Sequence, residues 1–201
     1  MPIPSPERLK TRIEAAVPGA QVTVQQNGSP SAQHSLVLDR EHGRAVAEFL
    51  RDDGELKLDF CSLVTGVDWP DTELTEKVKV KKTVTAADGT ETVQEVDETR
   101  KTRIGGYLEA VYHLFSMSGK HGPVIIRMRT ANRSDDTHLP SLTPVWRSAE
   151  FQEREAFDLY GIVFDAHPDL RRILMWEGFQ DHPMRKDYVP PADDALAEVH
   201  G

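Results

Sequence analysis

The sequence predicts an α+β fold: a mixed β-sheet with N-terminal helices packed on it, a further helix late in the chain, and an extended C-terminal tail. Three observations carry this. Apolar residues recur at helical spacing near the start and again between Ser141 and Gly161, strand alternation dominates the middle, and the last 40 residues hold prolines without any long periodic segment. The chain has 201 residues, 38% hydrophobic and 28% charged, enough for one substantial core.

The elements follow in order. Ser5 before Pro6 is a helix start, and Leu9, Ile13, Ala16 and Val17 keep helical spacing up to Pro18-Gly19. Val22–Gln25 and His34–Leu38, on either side of the Asn27-Gly28 turn signal, predict a hairpin. Arg40–Arg51 predicts a second helix, stopped near Gly54. Next, Leu56, Leu58, Phe60 and Ser62 alternate with Lys57, Asp59, Cys61 and Leu63 as a strand with one buried face. Residues 77–101, where Val78, Val80 and Val84 alternate with lysines before Asp88-Gly89, predict an exposed, charge-coated hairpin. Two core strands are expected at Tyr107–Ser116 and Pro123–Thr130 around a Gly119–Gly122 turn, then a polar loop at Asn132–His138. From Ser141 the pattern turns helical, with a break near Ser148 and a left-handed end at Gly161. The expected division is an α+β domain over 1–161, including the charged hairpin, and a tail over 162–201. That tail contains Phe164, Leu170, Ile173, Leu174, Met175, Trp176 and Phe179, apolar enough to dock on a surface, its own or a partner's.

Composition excludes several function classes. A net charge of -9 repels nucleic-acid phosphates. No apolar run approaches the roughly 20 residues of a membrane-spanning helix, and the N-terminus lacks the pattern of a signal peptide, so a cytoplasmic location is expected. The single cysteine, Cys61, rules out internal disulfides and cysteine-bound clusters. No G-x-S-x-G elbow, G-x-G-x-x-G or Walker A sequence occurs. Lys77, Lys79, Lys81 and Lys82 form a basic run that suits edge protection or contact with an anionic lipid or acidic partner.

Two clusters are candidates for chemistry. Glu153-Arg154-Glu155 with Asp158 sets three carboxylates and a guanidinium within two helical turns, Arg154 and Asp158 sharing a face four residues apart. A salt-bridged helix holding neighbouring backbone or a partner chain explains them better than acid–base catalysis, because no histidine stands at helical ligand spacing. Asp165, His167, Asp169, Asp181 and His182 would suit an oxygen/nitrogen metal site. The His167-Pro168 and His182-Pro183 pairs, fifteen residues apart, read better as loop anchors whose imidazoles hydrogen-bond backbone.

The 22-residue stretch Glu153-Arg154-Glu155-Ala156-Phe157-Asp158-Leu159-Tyr160-Gly161-Ile162-Val163-Phe164-Asp165-Ala166-His167-Pro168-Asp169-Leu170-Arg171-Arg172-Ile173-Leu174 closely resembles the signature of the 30-kDa subunit family of respiratory complex I, the bacterial NADH-quinone oxidoreductase. Val64–Pro70, Val111–Ser116, Pro140–Thr143 and His182–Tyr188 resemble further family segments, so the likeness spans about 34 to 190. It departs at the 77–101 hairpin, at Phe151 where tryptophan is common, and at Tyr188-Val189-Pro190 in place of Phe-Pro. The resemblance implies a non-catalytic core subunit of the peripheral arm, scaffolding the quinone-reducing module of a proton-pumping translocase. It implies no catalytic, cofactor or metal residue on this chain. FMN, iron–sulfur clusters and quinone would be held by partner subunits, on the cytoplasmic side of the inner membrane. The partner would be the 49-kDa-type quinone-site protein, wrapped by the tail and met by Glu153, Arg154, Glu155, Asp158, His167, Pro168, Leu170, Arg171, Arg172, Ile173, Leu174, His182, Pro183, Arg185, Lys186 and Asp187. Alternatives are the homologous subunit of a membrane-bound hydrogenase or a ferredoxin- or deazaflavin-linked complex, and a metal-dependent hydrolase using Asp165, His167, Asp169 and His182.

Overall fold

Helix α1 (Pro6–Ala16) begins as its sequence predicts, with Ser5 Oγ accepting the Arg8 amide at 3.4 Å and Pro6 in the first turn. In this computed structural model, which describes residues 3–28, 30–85 and 91–190, the chain divides into two units: Met1–Trp69 with Tyr107–Gly201, and Pro70–Gly106. The division differs from the expected one. The segment after 161 belongs to the main unit, and the piece that separates is the hairpin.

The main unit is built on a five-stranded sheet of order β1-β2-β7-β6-β3, from β1 (Val22–Gln26), β2 (His34–Leu38), β3 (Phe60–Trp69), β6 (Tyr107–Ser116) and β7 (His121–Arg129). The β2–β7 pair is parallel and the others antiparallel, so the sheet is mixed as predicted. Alternation buries Leu36, Leu38, Ala110, Tyr112, Leu114, Val124, Ile126 and Met128 in one core with Leu9 and Ile13 of α1 and Val46, Ala47 and Leu50 of helix α2 (Gly43–Asp52).

Helix α2 starts three residues later than expected. Asp39 accepts the His42 amide at 2.9 Å and its imidazole Nδ1 at 2.6 Å, holding 39–42 as a turn. The helix can then come close, because a side chain at Gly43 would lie 2.3 Å from Met128 Sδ.

The strand expected over 56–63 is shifted, and its faces are exchanged. Asp53 Oδ1 accepts the amides of Glu55 and Leu56 at 3.0 and 2.9 Å, an Asx turn that takes this backbone out of the sheet while Leu56 and Leu58 remain buried. The strand begins at Phe60, and a register shift between Cys61 and Leu63 leaves Cys61 inside and Phe60 and Leu63 exposed. It then continues through Val64–Trp69, a stretch that the sequence marked only by its likeness to a family segment.

Helix α3 (Ala149–Tyr160) lies against β3. Ser148 donates to the Cys61 carbonyl (2.7 Å), the side-chain carbonyl of Gln152 accepts the Val64 amide (2.7 Å), and Trp146 Nε1 donates to the Leu58 carbonyl (2.7 Å). Tyr160 packs so closely on Gly66 that any Cβ there would sit 2.4 Å from its ring. Residues 141–148 are turns rather than the start of a longer helix. Gly161 ends α3 with φ 76°, the expected left-handed cap. Strands β8 (His138–Pro140) and β9 (Val163–Asp165), both in stretches read as loop or tail, pair in parallel.

The second unit is a hairpin of β4 (Thr72–Thr85) and β5 (Glu91–Ile104), longer than the 77–101 expected, with Thr72 facing Ile104 and Thr85 facing Glu91. The Asp88-Gly89 turn signal lies outside the described residues.

Candidate functional site

The helical period of α3 divides its signature residues between two environments. Glu153, Arg154, Ala156 and Asp158 are buried, while Phe151 and Glu155 are exposed. What covers Arg154 and Asp158 is the chain's own segment from Ile162 to Pro190. This strap has no regular structure beyond β9, so its backbone polar groups must find side-chain partners.

Asp158 supplies three of them. Its Oδ2 accepts three successive amides, Ile173 at 2.9 Å, Leu174 at 2.7 Å and Met175 at 2.9 Å. Its Oδ1 takes Arg172 Nη1 at 2.6 Å. Burial pushes this carboxyl's pKa upward, but the three amides and the guanidinium outweigh it and hold the group below the usual carboxylate range. Arg172 also donates to the Asp181 carbonyl at 3.1 Å, so one buried acid organises the strap from 172 to 181.

A second anchor holds the far end. Asp68, at the end of β3, is paired by both arms of Arg133 (2.6 and 2.7 Å) and accepts the Lys186 amide at 2.8 Å. Arg133 reaches on to Asp187 at 2.9 Å. Arg185 Nε donates to the Tyr160 carbonyl (2.7 Å) and the Met184 amide to that of Leu159 (3.1 Å). Gly161 makes room: a side chain there would lie 2.4 Å from His182 and 2.6 Å from Arg185.

The histidines are loop anchors, as the sequence suggested. His182 Nδ1 donates to the Asp158 carbonyl at 3.1 Å, and burial, with Arg185 and Arg172 beside the ring, holds its pKa below the ordinary range. His167 accepts the Asp169 amide at Nδ1 (3.1 Å), which fixes the proton on Nε2, and this donates to the Glu150 carbonyl at 3.0 Å.

Glu153 serves the opposite side of α3. Its oxygens accept from Tyr112 Oη (3.1 Å), the Leu142 amide (2.8 Å), Ser141 Oγ (2.6 Å) and Thr143 Oγ1 (3.1 Å). Burial raises its pKa against these four donors and drives that of Tyr112 well above its ordinary value.

Several expectations are corrected by this geometry. Arg154 and Asp158 do not pair along the helix: Arg154 donates to the Arg171 carbonyl (3.2 Å) and meets Asp169 at 3.4 Å, because the strap offers both groups better-placed partners. Glu153 and Asp158 are wholly enclosed by this chain, so they organise its interior rather than a partner face. The tail is not left to a partner, since the amides of Ile173, Leu174, Met175, Met184 and Lys186 are accepted by its own domain. Asp165, His167, Asp169 and His182 are not gathered into a site: Asp165 pairs with His138 (2.8 Å) and Asp169 with Arg171 (3.0 Å). Among the described residues, no group of three or more His, Cys, Asp or Glu is placed to hold a metal. Cys61 is buried, its thiol pushed up to about 12 by burial. Sequence reasoning missed Asp68 and Arg133 as a pair, 65 positions apart, and Tyr112 as a partner of Glu153; no local pattern links them.

Pinned in this way, the strap presents an outer face. Leu174, Trp176, Met184 and Val189 are exposed, as are Pro168, Arg171, Lys186 and Asp187, while Leu170, Ile173 and Pro183 are half-buried. Trp176 meets Phe179 edge-on at 4.7 Å, Phe179 meets Tyr188 at 6.3 Å, Arg172 lies over the Phe179 ring, and Lys186 lies over Trp69. No helix among the described residues is long and apolar enough to cross a membrane.

Residues 36–194 match the family model described as "Respiratory-chain NADH dehydrogenase, 30 Kd subunit". Similar proteins include a subunit of the NADH-quinone oxidoreductase of Nocardioides sp., 38% identical over 75% of this chain and 47% of that protein. The corresponding NADH-quinone oxidoreductase protein of Saccharopolyspora erythraea is 35% identical over 94% of this chain and 66% of its own length. The chain thus spans about half to two thirds of these relatives. A structure of the membrane-bound sulfane sulfur reductase, an archaeal respiratory membrane complex, shares the fold, with a TM-score of 0.51 at 15% identity over 96% of this chain and 89% of that one. With the family model covering most of the chain, including α3 and the whole described strap, the protein belongs to the respiratory-chain NADH dehydrogenase 30 Kd subunit family.

Proposed function

We propose that the chain is a structural subunit of a proton-pumping NADH-quinone oxidoreductase and that the outer face of its strap docks the 49-kDa-type quinone-site subunit. The observation that carries this reading is the strap itself. It is tied down by buried Asp158 and Asp68, yet leaves Leu174, Trp176, Met184 and Val189 in solvent, rimmed by Arg171 and Lys186. A rigid apolar patch with a polar rim suits a subunit interface, because no ordering cost remains to be met on binding. The carboxylates of the signature hold backbone, so the redox groups, FMN, iron–sulfur clusters and quinone, fall to partner subunits, and the assembly lies peripherally on the cytoplasmic side of the inner membrane.

The test is to purify the tagged chain from its native membrane and identify what accompanies it. A 49-kDa-type subunit together with an NADH-binding flavoprotein is expected. Trp176→Asp should abolish that co-purification while leaving the unfolding midpoint of the chain in place. Hydrogenase or ferredoxin-linked subunits in the place of the flavoprotein would move the chain to a related complex.

A further inference from the structure

The strap carries four arginine and lysine side chains, and the structure sorts them. Arg171 meets Asp169 at 3.0 Å, Arg172 meets Asp158 at 2.6 Å, and Lys186, exposed, lies over the Trp69 ring. Arg185 is left. Among the described residues, each arginine that is at least partly buried meets a carboxylate, and Arg185 is the exception.

Its Nε–H donates to the Tyr160 carbonyl at the end of α3, a helix cap in which the opposite edge of the guanidinium takes no part. Both terminal nitrogens, Nη1 and Nη2, keep solvent contact and meet no acceptor among the described residues. The side chain lines a hollow of about 330 Å³ with Gln180, His182 and Tyr188. Two acids, Asp181 and Asp187, border the same hollow, but Asp187 is turned to Arg133 at 2.9 Å and neither pairs with Arg185. Burial, with Arg133 nearby, holds the Arg185 pKa below the ordinary arginine value in spite of Asp68 and Asp187, which marks a guanidinium short of counter-charge.

Tyr188 is also the last ring of the row from Trp176 through Phe179, so the hollow borders the apolar face of the strap. A partner that covers that face takes water from Arg185. A guanidinium that loses water and gains no acceptor opposes binding, and the acceptor that best fits two terminal N–H groups is a carboxylate.

We propose that the subunit docked on the strap inserts an aspartate or glutamate into this hollow, where its carboxylate accepts the terminal N–H groups of Arg185. This rests on the reading of the strap as a docking face and adds the chemistry of the contact.

The test places a photo-cross-linking residue at Gln180, an exposed residue of the hollow, in the complex purified from native membrane, with exposed Thr11 of α1 as the control position. The expected adduct joins position 180, and not position 11, to a segment of the 49-kDa-type subunit beside an aspartate or glutamate. Arg185→Gln keeps an N–H for the Tyr160 carbonyl but removes the fork and the charge. It should leave the thermal midpoint of the free chain in place and lower its retention in the complex about tenfold, the worth of one charge-assisted hydrogen bond. Changing the partner's acid to its amide should lower retention equally, and the two changes together no further than either alone. An adduct to a segment without an acid or to a second copy, losses that add, or wild-type retention of a folded Arg185→Gln chain would overturn the carboxylate contact and leave the strap reading in place. If the glutamine variant unfolds alone, the adduct and the partner's amide variant decide. Wild-type co-purification of the Trp176→Asp chain, or a wild-type chain that purifies with no other subunit, would instead overturn the strap reading, and this contact with it.

Discussion

The hairpin of β4 and β5 and the strap after Gly161 are opposites. The hairpin has an unbroken ladder of fourteen paired positions, with Val80 facing Val96, Lys79 facing Asp97 and Lys81 facing Glu95, yet it forms a unit of its own. The strap has almost no regular structure, yet it belongs to the main unit, because buried carboxylates of that unit accept its amides. Regular backbone pairing satisfies a segment locally and leaves it independent. Irregular backbone must borrow its partners, and the lender fixes it in place.

The sharpest way to break this contrast is Asp158→Ala. It leaves three amides without their acceptor and Arg172 without its carboxylate, though with the carbonyls of residues 158 and 181. Because Arg172 still reaches some solvent, the expected loss is about 3 kcal/mol, the low end for a broken buried pair. Hydrogen exchange should show amides 173–175 released while the sheet stays protected. Unchanged protection there would mean that the strap is held by its apolar contacts instead.

Acid should act on the same point more gently. Asp158 and Asp68 both bind protons less readily in the folded state than in the unfolded one, despite burial, because amides and arginines hold their charged forms. Their contribution is complete above the unfolded carboxyl value of about 3.9 and is lost as pH falls through the lower folded values. Exchange at 173–175 and at Lys186 should therefore rise selectively in that acidic window. Glu153 shifts the other way and favours the protonated form, so Ser141–Thr143 should not open with the strap.

The smallest effect is expected on the other side of the comparison. Replacing residues 79–99 with a short Gly/Ser turn should change the unfolding free energy of the main unit by only about 0.6 kcal/mol per halving of the loop. A large drop in its denaturant midpoint, or aggregation, would show that the valines of the hairpin support the core.

Much of the fold is legible in local pattern. The Ser5-Pro6 start of α1, the alternation of β6 and β7, and the glycine stop of α3 at 161 each follow from residues within one or two turns of the element. The signature from Glu153 to Leu174 shows the family for the same reason, since its identities are contiguous. The start of β3 and the faces of its first residues escape local pattern, because an Asx turn at Asp53 and a register shift after Cys61 break the period on which alternation depends. The histidine anchors could be inferred from the repeated His-Pro pairs, but not which carbonyls they would bind.

By itself the sequence determined the three helices, the strands of the main sheet and the hairpin though not β8 and β9, the family, and the Glu153–Asp158 cluster as a place where charge would matter. Only the tertiary structure decided that Asp158 turns from Arg154 to the strap, that Asp68 finds Arg133 across 65 positions, and that the tail lies on its own domain. The physical reason is range. Periodicity reports which side of an element is dry, a property set by neighbours three or four residues away. The partner of a buried charge is chosen among all groups that folding brings within about 3 Å, and that choice leaves no period in the chain.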